Sequence, residues 1–151
     1  MSDIRTGHAD RLDWLLQNLL VKVPGTRHAL LLSSDGLKRA VASTTAEHGV
    51  GLDDNAADRL AALASGLSSL GRGVGQHFAD GGEVRQVVVE LTTALLFVSS
   101  AGSGAVLAVL AGPKTDPGTL GYEMGMLVKS VRPFLSTPAR QPMGAPVEGR
   151  L

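Results

Sequence analysis

The chain has 151 residues, 44% of them hydrophobic, with 14 Lys and Arg balancing 14 Asp and Glu, and no cysteine. That length supports one domain with a substantial core. The charge balance excludes the overall basic footprint of a nucleic-acid or anionic-lipid binder, and the lack of cysteine excludes disulfide and thiolate chemistry and fits a reducing compartment.

Residues 1–9 read as an N-terminal extension, followed by a domain over 10–136. From Asp10, the residues Leu12, Leu15, Leu16, Leu19, Leu20 and Val23 recur at three- and four-residue steps, which predicts a helix that ends at Pro24-Gly25. Met1 to Lys22 lacks the basic start and small-residue cleavage site of a secretory signal. No run reaches the roughly 18 apolar residues of a spanning helix, so a cytoplasmic location is expected. "HALLLSS" and "LKRAVAST" flank Asp35-Gly36, a dipeptide that tolerates positive φ, and so predict an antiparallel hairpin. "TTAEHGVGL" reads as a loop, after which Asp53 or Asp54 is placed to cap the next helix.

That helix is expected from Asn55 to Phe78, kinked or frayed in its second half by Gly66, Gly71, Gly73 and Gly75. Within "RLAALASGLSSLGRGVG" the only charge after Arg59 is Arg72. One face carries Leu60, Leu63, Leu67, Leu70 and Val74 and is expected to seat the helix on a sheet. A second face carries Ala57, Ala61, Ala64, Ser68, Gly71 and Gly75, all small, and is expected to pack against another helix.

Three apolar runs follow, "EVRQVVVEL", "ALLFVSSA" and "AVLAVLAG", separated by Thr92-Thr93 and Gly102-Ser103-Gly104 as in a meander. At a sheet edge Val87-Val88-Val89 would leave unpaired amides and carbonyls, an aggregation hazard that a second copy of the strand would close. From Thr119, the spacing of Leu120, Met124, Leu127, Val128, Val131 and Leu135 predicts a final helix with Pro133 near its end. Residues 137–151, with three prolines and little to bury, read as a disordered tail. The fold class is therefore α+β, an α/β/α sandwich with a five-stranded antiparallel sheet in the order α-β-β-α-β-β-β-α. The near-continuous apolar runs "LLL", "VVV" and "LLFV" require that both sheet faces be covered.

Motifs for catalysis are missing. "AGPKT" lacks the glycine spacing of a phosphate-wrapping loop, "GRGVG" does not follow a strand, and "GSG" lacks the geometry of a nucleophile elbow. His8, His28, His48 and His77 show no metal-ligand spacing, and Asp35, Asp53 and Asp54 are explained by turns and caps. No catalytic, cofactor or metal residue is assigned, and no enzyme is expected. Two further classes fit a sheet flanked by helices: a PAS- or GAF-like small-molecule sensor, for which five aromatic residues are few, and a purely structural dimerisation adaptor.

The hairpin "ALLLSSDGLKRAVAS", the helix "ADRLAALASGLSSLGRGVG" and the meander "VRQVVVEL" with "ALLFVSSAGSGAVLAVLA" resemble the roadblock / dynein light chain family, over roughly Asp10 to Leu135. The resemblance implies a roadblock / profilin-like fold and a non-enzymatic dimer in which middle helices pack together and third strands join two sheets. It is nearest to the bacterial branch, whose members are commonly encoded beside a Ras-like small GTPase that they regulate or scaffold, in some cases with a sensor-kinase-like membrane protein. Carried onto this sequence, the dimer contact falls on Ala57, Leu60, Ala61, Ala64, Leu67, Ser68 and Gly71, with Arg85, Val87 and Val89 on the edge strand. The GTPase contact falls on Arg59, Arg72 and Gln76, Arg72 being read as a solvated rim residue rather than an arginine finger. Partners would recruit the protein to the inner face of a membrane without insertion.

Overall fold

The computed structural model describes residues 2–44 and 51–135, with side chains from 11 to 133 within those spans. The elements run α1 (Ser2–Lys22), β1 (Thr26–Ser33), β2 (Lys38–Ser43), α2 (Asp54–Phe78), β3 (Gln86–Glu90), β4 (Leu95–Gly102), β5 (Ala105–Ala111) and α3 (Pro117–Leu135). This is the expected order. The backbone of α1 extends into the segment expected as an extension, eight residues ahead of Asp10. The segment 45–50, which holds Glu47 and His48, and the tail 137–151 lie outside the described residues.

The five strands form one antiparallel sheet in the order β2-β1-β5-β4-β3. Gly36, at φ +92°, makes the β1–β2 reversal, where Asp35 accepts a hydrogen bond from the Ser33 hydroxyl. The β4–β5 turn is built on Gly102, Ser103 and Gly104, all at positive φ. Among the described residues β3 pairs only with β4, so its other side is an open edge, the case that the sequence left as a condition.

Each face of the sheet has its own core, and the two divide volume in opposite ways. Against α1 and α3 the strands offer Ala29, Ala40, Ala42, Ala101, Ala105 and Ala111 beside larger residues, and the helices supply bulk from Leu16, Leu19, Met124 and Leu127. Against α2 the strands supply the bulk, with Leu30, Leu32, Leu96, Val98 and Val106, and the helix supplies Ala61 and Ala64. Interiors fill to a nearly constant density, so a bulky sheet face requires a slender helix face.

The faces of α2 therefore depart from the sequence expectation: the small-residue face is the buried one, and of the leucine face only Leu60 and Leu67 pack on the sheet. Ala57, Ala61, Ala64, Ser68 and Gly75 are the residues buried under the helix, with Ala61 and Ala64 at 0% exposure. Leu63, Leu70 and Val74, expected to seat it, are 60%, 71% and 59% exposed. Hydrophobicity alone favours the leucine face; the volume already present on β1, β4 and β5 decides for the alanine face.

α2 is continuous to Phe78, so its second half does not fray. Asp53 caps its start by accepting a 2.7 Å hydrogen bond from the Ala56 amide. At its end, Gly75 lies so close to the following turn that a Cβ there would fall 2.0 Å from the Gly82 carbonyl oxygen. The Gly75 carbonyl also accepts from the Ala79 and Gly81 amides. Asp53→Ala is expected to lower stability by about 1 kcal/mol, the usual worth of such a cap, read as a shift in urea midpoint at unchanged slope.

Candidate interaction surface

α2 is positioned from both sides. Lys38 at the start of β2 donates to Asp58 at 2.9 Å and lies 3.5 Å from Asp54, and this carboxylate pair, chiefly the Asp58 hydrogen bond, raises the Lys38 pKa. The Ser65 hydroxyl donates to the Ser34 carbonyl at 2.7 Å. Toward β3, a Cβ on Gly71 would meet a Val84 methyl at 2.9 Å and a Val87 methyl at 3.5 Å, so the absence of a side chain at 71 lets the edge strand region close onto the helix.

With the alanine face buried, the helix presents Leu63, Leu70, Val74 and Phe78 outward, Phe78 at 86% exposure. Their seven- and four-residue spacing makes one stripe. Leu60 and Leu67 are half-buried and pack with Val87 and Val89 on the second core, which links the stripe to the open edge of β3. Leu91 follows them at 52% exposure, whereas Val88, at 48%, lies on the opposite face of β3, across from Phe97. A contiguous apolar stripe beside unpaired strand amides is the composition of an interface rather than of a solvated surface.

The residues assigned from the sequence separate accordingly. Ala57, Ala61, Ala64 and Ser68 are buried within the chain, and Gly71 is half-buried against Val84 and Val87, so these residues join α2 to its own sheet. Leu60, Leu67, Val87 and Val89 lie at the border between core and surface, and Arg85 is exposed beside them. Leu63, Leu70 and Val74, expected on the seating face, are instead outward, and Phe78, which no face was assigned, joins them. The signal that would have found them is the run of large residues on the facing strands.

Arg59, Arg72 and Gln76 are all exposed, but they do not form one group. Arg72 and Gln76 line a cleft of about 570 Å³ between α2, the 81–84 loop and the β4–β5 turn. There Arg72 Nη1 donates to the Ser68 hydroxyl at 3.3 Å, so it is a positioned residue and not merely a solvated one. Arg59 stands thirteen residues earlier, about 20 Å along the helix axis. At the start of α3, Asp116 accepts from the Thr119 hydroxyl at 2.6 Å and its amide at 2.9 Å, and these bonds lower its pKa.

Among the described residues no three His, Asp or Glu side chains are grouped to hold a metal, and no helix is long and apolar enough to cross a membrane.

A twisted antiparallel sheet between one helix and two, with the single helix turned outward as an apolar ridge beside an open strand, is the architecture of a protein–protein interaction module. The chain belongs to the Roadblock/LC7 domain family, whose model matches residues 12–111. A Roadblock/LC7 domain from Streptomyces avermitilis is 60% identical, with 83% of this chain and 98% of that one covered, at a TM-score of 0.76. The gliding protein MglB from Thermus thermophilus is 17% identical over 85% of this chain and 91% of that one, at a TM-score of 0.74. Acanthamoeba castellanii profilin II is 18% identical over 80% and 95%, at 0.50. The last two likenesses are of fold. No curated protein matches the chain.

Proposed function

We propose that this protein is a non-catalytic homodimeric regulator or scaffold of a Ras-like small GTPase, modulating its nucleotide cycle or its location. The observation that carries this reading is the outward stripe of Leu63, Leu70, Val74 and Phe78 beside the unpaired edge of β3. A twofold partner would bury both features at once, because the same patch meets itself across the axis. Leu60, Leu67, Arg85, Val87 and Val89 border that contact. The paired helices and their polar margins, Arg59, Arg72 and Gln76, then offer a composite surface to the GTPase, a role that membership of the Roadblock/LC7 family supports. A sensor-kinase-like protein at the inner face of a membrane completes the assembly in this reading, with the chain itself cytoplasmic.

The test combines two measurements. Sedimentation of the purified chain is expected to give the mass of a dimer. Mixing it with a Ras-like GTPase of the same genome, loaded with GDP or with a non-hydrolysable GTP analogue, is expected to give a complex that favours one nucleotide state. A monomer at micromolar concentration defeats the dimer; failure to bind in either state defeats the GTPase role. Equal binding in both states supports a structural adaptor instead.

A further inference from the structure

On the sheet face opposite α2, a groove of about 430 Å³ separates α3 from β3 and β4. Three cationic side chains line it, Arg85, Lys129 and Arg132, and no Asp or Glu does. The cleft beside α2 differs, because there Arg72 is accompanied by Glu83. The lining of the α3 groove thus carries basic side chains and no acidic one, although the chain as a whole is neutral.

A second observation points to a ligand. The Ser99 hydroxyl, in the wall of the same groove, is buried and has no hydrogen-bond partner among the described residues. Ser99 lies opposite Gln86 in the β3–β4 ladder and alternates with Phe97 and Ala101 toward the α3 core. A buried hydroxyl left without a partner is costly, and most are satisfied by protein or by a bound molecule.

The groove is also held open. Gly121 and Gly125, one turn apart on α3, both line it, and a Cβ on Gly125 would meet nothing within 4 Å. Glycine is a poor helix former, so its use at both positions keeps room where any other residue would project a side chain. Met124 and Val128, buried from the same helix, give the floor an apolar part.

We propose that this groove binds a phosphomonoester, with the dianion among Arg85, Lys129 and Arg132, the Ser99 hydroxyl donating to it, and the esterified carbon chain lying along Gly121 and Gly125. Guanidinium groups match phosphate oxygens in pairs, and three cations suit a dianion better than a single carboxylate. The volume is that of a small-molecule site. This site shares no residue with the α2 stripe, and Arg85 alone is common to it and to the border of the proposed dimer contact.

The phosphomonoester has two sources, a soluble metabolite or a lipid headgroup, and the experiment separates them. The ¹⁵N-labelled full chain is titrated with glycerol 3-phosphate, with glycerol as control. In parallel it is floated with phosphatidylcholine vesicles containing or lacking phosphatidic acid. A soluble ligand is expected to shift the Gln86, Ser99, Gly121 and Gly125 amides saturably, whereas a headgroup ligand gives flotation only with phosphatidic acid. Lys129→Gln and Ser99→Ala are each expected to weaken the binding observed about tenfold, as loss of one charge-assisted contact does. Ser99→Ala removes an unpartnered hydroxyl, so its urea midpoint is expected not to fall, which separates lost binding from lost folding. No saturable shift at millimolar phosphate ester together with no acid-dependent flotation overturns the proposal. So does binding that both substitutions leave unchanged.

Discussion

Replacing Leu63 and Leu70 together by aspartate is expected to leave the fold intact and to convert the proposed homodimer to a monomer. Both side chains are mostly exposed on the isolated chain, at 60% and 71%, so their loss removes little from its own core. The fold's penalty is limited to helix propensity, a few tenths of a kcal/mol per residue. In a twofold contact the account is different, because each leucine is buried twice. Full burial of a leucine is worth about 1.5–3 kcal/mol, so even partial burial at four positions amounts to more than about 4 kcal/mol, or roughly a thousandfold in dissociation constant. Four introduced carboxylates facing one another add repulsion. Sedimentation equilibrium with circular dichroism checks both halves: a helical, cooperatively melting monomer is the expected outcome, and an unchanged dimer would place the self-contact elsewhere.

Ala64→Leu is expected to do the opposite, damaging the fold first. Ala64 is at 0% exposure, within the core that contains Leu30, Leu32, Val98 and Val106. Three added carbons in that layer must displace the helix or force strained rotamers, at a cost of about 1–3 kcal/mol or more. For a domain of this size that is a fall in melting temperature of roughly 3–10 °C. If the alanines instead formed a helix–helix seam, the isolated chain would keep its stability and only association would change. Urea unfolding monitored at concentrations below the dimer constant distinguishes the two, because there the monomer's own core is what unfolds.

These two substitutions also mark where the sequence was legible and where it was not. Element order, the Asp35-Gly36 turn and the Asp53 cap are local properties, set by φ preferences, side-chain reach and alternation, and they could be read from neighbouring residues, whereas the edge position of Val87–Val89 was a condition that the strand order meets. The orientation of α2 is a tertiary property. Its two apolar faces differ in volume, and the choice between them depends on Leu30, Leu32, Leu96, Val98 and Val106, which are far away in the chain. The groove under α3 was invisible for a similar reason: Arg85, Ser99 and Lys129 carry no common spacing, and only the packing of α3 across β3 and β4 brings them around one space. Arg59, Arg72 and Gln76 were read from the sequence as one group, and only the cleft beside α2 sets Arg72 and Gln76 apart from Arg59.

The division of labour on α2 bears on how such a chain can change over generations. Its inward residues are nearly fixed by size, since the space beneath them admits little beyond alanine, whereas its outward leucines owe almost nothing to folding. Substitutions at Leu63, Leu70, Val74 and Phe78 can therefore change the surface that the helix presents while the scaffold that displays it stays the same.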